Sequence, residues 1–343
     1  MNIKSLLLGS AAALVAVSGA QAADAIVAAE PEPMEYVRVC DAFGTGYFYI
    51  PGTETCLKIG GEVRTQVLFD DGVTLDSSSD PDWSTGVRAR LAFETRSDSE
   101  VGVIGSYIRL EGSVNNSAAG SVGVEQAYID VGGFRVGNFL AFVDDFGLPG
   151  ESDFFFSGAK FNSIRYVYAA DAFTVGLALD HVAAEDDGLG AGAMASATFG
   201  AVTATLYGVY DFNAEEGAVA GTIAADLGPG TLTVAAAYTT GISAYTDPDA
   251  TAVAGGLVWE NNTAEWTVGA SYGFQATEKL RLTASANYYG DFLIDSNVDA
   301  WSADLLAEYA VASGLTASAS VQYYDVEDNG DDWTGFLRLT RSF

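Results

Sequence analysis

The chain has 343 residues, with 15 Lys+Arg against 46 Asp+Glu and a formal net charge of −31. A surface this acidic argues against nucleic acid, whose phosphates need a basic partner. One histidine leaves little for zinc sites or His-dependent catalysis. The hydrophobic fraction of 49% is too high for a disordered acidic chain, so enough apolar surface exists to offset ordering entropy.

The first residues read as an address. Lys4 precedes an apolar run from Leu6 to Val17, and Ala20-Gln21-Ala22 forms an A-x-A cleavage site. That order is a secretory signal peptide over 1–22, and the run is shorter than the ~20 residues of a spanning helix. An N-terminal segment, 23–58, follows and holds the only two cysteines, Cys40 and Cys56. An exported chain can keep them as a disulfide, worth about 3 kcal/mol for a loop of that size, the alternative being two free thiols.

From residue 59 onward the pattern is strand after strand. Residues 265–274 set Trp266, Val268, Ala270, Tyr272 and Phe274 against Glu265, Thr267, Gly269, Ser271 and Gly273. Residues 280–289 and 315–324 alternate in the same way, so each has one apolar and one polar face. Several apolar faces carry aromatics at their ends and small residues between, the distribution that aromatic belts at two membrane interfaces produce. Candidate strands lie near 59–69, 84–96, 101–111, 122–131, 134–139, 163–170, 172–181, 190–199 and 201–211. Others lie near 217–227, 230–240, 251–259, 265–274, 279–290, 300–310, 315–325 and 333–343. The uncharged run Gly188–Tyr210 is long enough to span as a helix, but its alternation makes it two strands and a turn. An up-and-down bacterial barrel needs an even number, so seventeen candidates reduce to about sixteen strands, the surplus falling between 213 and 279.

Short connections such as Gly132-Gly133 alternate with longer acidic ones such as Asp70–Asp82, Asp291–Asp299 and Asp325–Asp332. Periplasmic turns and extracellular loops differ in this way. The longest connection, about 140–162, carries Asp144, Asp145, Glu151 and Asp153. Nine of the eleven arginines fall on polar faces: Arg64, Arg88, Arg90, Arg96, Arg109, Arg135, Arg165, Arg281 and Arg338. If the apolar faces meet lipid, these arginines line a barrel too wide for side chains to fill, hence water-filled. Six of them, Arg64, Arg88, Arg90, Arg109, Arg135 and Arg165, form a candidate basic wall facing the acidic loop. The transverse field between the two would sort solutes by size, charge and dipole. Soluble β-domains with arginines outside are the competing reading, but Ala/Gly-rich faces would build a poor packed core.

The last strand places Trp333, Leu337, Leu339 and Phe343 on one face and resembles the assembly signal of outer-membrane barrels. Arg341 adds a charge to that face, costing roughly 0–1 kcal/mol near the interface. The N-terminal MNIKSLLLGSAAALVAVSGAQAADAIVA and the segment Glu35–Arg64 (EYVRVCDAFGTGYFYIPGTETCLKIGGEVR) resemble the alphaproteobacterial general porins of the rhizobial and Brucella type. That resemblance implies an all-β transmembrane antiparallel barrel of sixteen strands over 59–343, a homotrimer, and passive diffusion of small hydrophilic solutes and ions. It also implies an inward-folded constriction loop at 140–162 and a Cys40–Cys56 disulfide. Glu62 departs from it, standing where an aromatic is expected.

Enzymatic signatures are missing from the sequence. There is no G-x-S-x-G elbow, and His181 is the lone triad candidate, at a strand end beside an acidic loop. Asp325–Gly330 begins like a calcium loop, yet Phe336 stands at its twelfth position. Gly188–Gly192 lacks a phosphate-loop lysine. The expectation is an outer-membrane porin in a Gram-negative cell, with no cofactor, no metal and no nucleic-acid partner. Its partners would be outer-membrane lipid and lipopolysaccharide; weak Mg²⁺ or Ca²⁺ binding by the acidic loops, bridging to lipopolysaccharide phosphates, is a separate hypothesis. A surface-exposed binding or adhesion barrel would need longer, aromatic-rich loops. A substrate-specific channel would need a lumenal aromatic ladder, where only Tyr289 and Tyr324 stand out, and Phe154-Phe155-Phe156 reads as an anchor of the loop.

Overall fold

The structure is a computed structural model, described for residues 38–70, 83–115, 120–151, 156, 159–182, 188–246, 264–292, 294, 298–328 and 330–343. A two-residue strand, β1 (Phe48–Tyr49), precedes the long ones. The first half of the barrel is β2 (Cys56–Asp70), β3 (Trp83–Ser97), β4 (Ile104–Asn115), β5 (Val122–Val131), β6 (Phe134–Leu140), β7 (Lys160–Ala169), β8 (Phe173–His181) and β9 (Leu189–Phe199). The second half is β10 (Val202–Asp211), β11 (Glu216–Leu227), β12 (Gly230–Thr239), β13 (Ala264–Gln275), β14 (Leu280–Phe292), β15 (Ala300–Ala312), β16 (Leu315–Val326) and β17 (Gly330–Ser342).

Each strand pairs antiparallel with the next, and β17 pairs with β2, so β2–β17 close a sixteen-stranded barrel with no free edge. Among the described residues no helix is long and apolar enough to cross a membrane. The surplus candidate at 251–259 lies outside the described residues. The strands on either side of it, β12 and β13, pair directly from Gly230↔Phe274 to Tyr238↔Trp266. The connection 240–263 therefore belongs among the long ones and exceeds 141–159, which corrects the expectation that the connection near 140–162 is the longest. Shorter and longer connections alternate around the barrel except at 98–103 and 116–121, which are equal.

Period-2 alternation sets the two faces. Val63, Val87, Leu91, Ile108, Ile129, Val136 and Ile164 point out and are exposed, while their neighbours Arg64, Arg88, Arg90, Arg109, Asp130, Arg135 and Arg165 point in. Outward aromatics gather at the two ends of the wall. On the long-connection side, Trp266–Tyr288, Trp301–Tyr323 and Tyr323–Trp333 approach to 5.4, 5.0 and 4.8 Å between ring centres. On the short-turn side lie Phe134–Tyr166 at 4.7 Å, Tyr168–Phe173 at 5.9 Å and the exposed Phe199 and Phe343. Two girdles around a belt of aliphatic and small residues fit a hydrocarbon slab and its two interfaces.

The strict division into an apolar outside and a polar inside fails on β8–β12. Here Ala178, Tyr207, Val209, Ala218, Ala220, Ala235 and Ala237 point inward and are buried. They are covered from within the barrel by Phe142, Val143, Phe146 and Leu148 of the connection after β6, together with Tyr245 of the connection after β12. The barrel thus holds an apolar core inside its lumen, which continues through Ala264, Tyr289, Phe292, Ala300 and Val326 on β13–β16. Two inserted segments occupy this flank of the lumen: the loop after β6, expected to fold inward, and the connection after β12, which was not expected to.

The N-terminal segment is tied down at the short-turn end. Cys40 and Cys56 form the disulfide, with Cα atoms 6.0 Å apart. β1 pairs with the start of β2 through Phe48↔Leu57 and Tyr49↔Cys56. β17 ends earlier on the same edge, where Phe343 exchanges backbone hydrogen bonds with Gly61. The short strand therefore continues the line that β17 leaves unfinished. The expected signal peptide at 1–22 lies outside the described residues.

Candidate functional site

The loop after β6 enters the barrel and stays there. Its root is closed by the Ala141 N–H donating to the Ala159 carbonyl at 3.0 Å, and a 3-10 turn follows over Phe142–Asp145. Arg165 donates to the Leu140 carbonyl and lies 4.5 and 4.3 Å from the Phe139 and Phe142 ring centres. From there the loop runs along the inner wall. Phe142 fills the space beside Gly176 on β8, and Tyr207 on β10 donates its hydroxyl to the Asp145 carbonyl at 3.3 Å. Phe146 packs edge-on to Phe156 at 5.3 Å and to Tyr207 at 6.3 Å. Leu148 reaches Gly269 on β13, and Gly150 sits against Ser285 on β14 and Asp304 on β15. Gly150 has φ +137°, and a Cβ there would stand 2.6 Å from Ser285 Oγ, so both conformation and space require glycine. Finally Glu151 pairs with Arg338 on β17 at 3.2 Å. The described part of this loop joins the wall at β8–β10 to the wall at β13–β17.

Opposite it stands a ladder of charges on β2–β5. Arg88 binds Glu62 at 2.6 Å, Arg90 binds Glu111, and Arg109 grips Glu125 through two bonds, one of them 2.6 Å. Arg90 and Lys160 also reach Glu125, at 3.2 and 3.5 Å. Arg64 is the least compensated member: its nearest carboxylate, Glu62, is 4.0 Å away, and its Nε has no hydrogen-bond partner among the described residues. Arg64 lies directly across from Arg88, and Arg338 lies beyond it on β17, so one end of the ladder is the most positive part of the wall.

The six arginines of the candidate wall thus occupy three places. Arg64, Arg88, Arg90 and Arg109 share the ladder. Arg135 lies nearer the short turns, paired to Asp130 at 2.8 Å beside Arg96–Glu94 at 2.6 Å, with its guanidinium 3.8 Å from the Tyr128 ring centre. Arg165 belongs to the loop root. Of the acidic residues, Asp144 faces Lys160 and Arg109, Asp145 lies on the turn beside Tyr207, and Glu151 reaches β17. Asp153, with Phe154 and Phe155, lies outside the described residues. Burial, reinforced by Asp145, raises the pKa of Asp144 despite Lys160 and Arg109. Burial likewise raises that of Glu151, outweighing Arg338 and Arg64.

Sequence reasoning noted Glu62 only as a departure from the family pattern and missed Glu111 and Glu125, the wall's other carboxylates. Glu62, Glu111 and Glu125 alternate with the arginines on the same polar faces, and counting both signs along those faces would have found them. It also missed Tyr107 and Tyr128, stacked in the lumen at 5.0 Å. The next ring, Phe139, is buried under the loop root, so this is a pair and not a ladder. Tyr289 and Tyr324 are buried as well, their hydroxyls bonded to Ser302 and Gln322 on the wall.

Comparison with known proteins agrees with this architecture. The sequence profile described as the Porin subfamily matches residues 24–336. A putative outer membrane protein of Sinorhizobium fredii is 43% identical, the match covering 100% of this chain and 99% of the relative. Porin Omp2a of Brucella suis is 35% identical over 100% of both chains. Among solved structures, the trimer form of the Vibrio cholerae outer membrane protein OmpT superposes with a TM-score of 0.61 at 15% identity, covering 85% of this chain and 100% of that one. OmpF of Salmonella typhi in complex with daunomycin gives 0.62 at 13% identity, covering 84% and 98%. With its closed sixteen-stranded wall, its loop folded into the lumen and relatives that match it end to end, the chain belongs to the porin subfamily of outer-membrane proteins.

Proposed function

We propose that small hydrophilic solutes and ions diffuse passively through this lumen past a constriction between the β2–β5 ladder and the inserted loop. The supporting observation is the Glu151–Arg338 pair, which fastens the far end of the loop to β17. With its root at β6 and that end on β17, the loop narrows the water path to the side lined by Arg64, Arg88, Arg90 and Arg109. No step in such diffusion is catalytic. The constriction is a mixed ladder facing carboxylates, so its discrimination is mild: ionised pairs on one wall largely cancel at a distance. The chain is read as a homotrimer in lipid and lipopolysaccharide, exported by cleavage after Ala22. A barrel with closed edges and an apolar outer belt suits that setting.

Single-channel recording of the purified protein in a planar bilayer under a salt gradient tests the reading. Large stepwise conductance, often in threes, is expected; reproducible insertion without conductance overturns it. Arg64→Gln tests the constriction. Removing one poorly compensated lumenal charge shifts the cation-to-anion permeability ratio toward cations by about 1.5- to 2-fold in 0.1 M salt. An unchanged ratio places Arg64 off the ion path.

A further inference from the structure

The long connection after β12 also turns into the barrel. Residues 241–246 fold back from the end of β12 and cross the mouth to β7–β10. The turn is held by Thr239 Oγ1 donating to the Gly241 carbonyl at 2.7 Å and by the Ser243 N–H donating to Thr246 Oγ1 at 3.0 Å. Its apex, Tyr245, is fully buried. The ring stands edge-on to Phe161 on β7 at 5.2 Å, and the hydroxyl donates to Asp180 Oδ2 on β8 at 2.8 Å.

Two buried carboxylates explain why the segment stays. Asp180 is 2% exposed and Asp211 4%. A carboxylate out of water costs free energy unless its oxygens are hydrogen-bonded. Asp180 receives Tyr245 on one oxygen and Ser163 on the other, at 2.6 Å. Asp211 receives the Ala244 N–H at 3.1 Å on one oxygen, and the N–H groups of Asn213 and Ala214 at 2.9 and 3.2 Å on the other. Lifting the segment would leave both acids short of a donor. Gly190 on β9 records the same fit, because a Cβ there would collide with the Tyr245 hydroxyl, stand 3.0 Å from its Cζ and press on Val182 Cγ1 at 2.6 Å.

We propose that residues 241–246 form a second, outer ledge of the channel, with Tyr245 as the positioning residue that sets the size limit of the mouth. The ledge rests on Phe161, beside the root of the constriction loop, and closes the β7–β10 side of the mouth above the lumenal apolar core. Solutes entering the barrel are thereby directed toward the Arg/Glu ladder before they reach the constriction.

This inference rests on the diffusion-channel reading, and one set of recordings separates the two. Tyr245→Ala removes the apex, and Gly190→Val displaces it from another strand without altering it. Both variants should raise unit conductance by about 1.5-fold or more, since pore width limits passage. They should also admit larger neutral sugars in vesicle-swelling assays. Tyr245→Phe keeps the ring and loses one hydrogen bond, so it should retain mean conductance with more open-channel noise. Folding of each variant is checked by the heat-dependent shift in electrophoretic migration. Folded Tyr245→Ala and Gly190→Val proteins with unchanged or lower conductance and the parent size limit would overturn the ledge. A silent parent protein would overturn the channel reading itself.

Discussion

Asp144 and Glu151 are two loop acids whose proton affinity the fold changes. Burial raises both pKa values, and the cations near them reduce the effect without reversing it. The sign follows directly. A carboxyl with a raised folded pKa holds its proton more tightly in the folded state, so its contribution to stability is present at low pH and is lost as pH rises through that value. Function moves the opposite way. These acids neutralise at higher pH than solvated carboxylates would, and the acidic edge of the constriction fades first. Cation preference, read as reversal potential under a fixed gradient, should begin to fall at a higher pH than freely solvated carboxylates would give. Asp144→Asn with Glu151→Gln should flatten that early part of the curve. A parent-like curve from the double variant would assign the titration to other groups.

At the scale of elements, the N-terminal segment is the part whose attachment depends on a covalent bond. The barrel strands hold one another through continuous ladders, whereas β1 contributes two paired residues. Tyr47 adds contacts to Glu94 and Arg96 on β3, and the Lys58 ammonium stands 5.7 Å from its ring centre. A Cys40→Ser, Cys56→Ser variant should keep the barrel resistant to protease while residues before β2 become cleavable. The lost restraint is worth about 3 kcal/mol for a loop of this length. Equal resistance in the oxidised and serine proteins would show that β1 and Tyr47 suffice. Strand positions were legible in the sequence because a wall with lipid on one side and water on the other must alternate. The lumenal flank was not legible, because on β8–β12 both faces are apolar and the cover arrives from loops remote in sequence. Tyr207 and Val209 carry no sign of facing inward until Phe142 and Phe146 are seen against them. The same limit hid the pairing of Arg109 with Glu125, which requires the register of β4 on β5.

Charge acts over the whole molecule at two ranges, and salt separates them. The chain carries −31. The ladder is locally positive, with Arg64, Arg88, Arg90, Arg109 and Lys160 against Glu62, Glu111 and Glu125. In 0.01 M salt the Debye length is about 30 Å, so the acidic potential of the whole barrel reaches an ion approaching the mouth. In 1 M salt it is about 3 Å, and an ion responds only to the groups it touches, most of them already paired. Reversal potentials at a constant concentration ratio, measured from 0.01 to 1 M, should therefore show cation selectivity that declines steadily toward none. Selectivity independent of salt would mean that fixed contacts in the constriction govern it and that the net charge is irrelevant to permeation. Anion selectivity at the lowest salt would mean that the Arg64 end of the ladder outweighs every carboxylate on the chain.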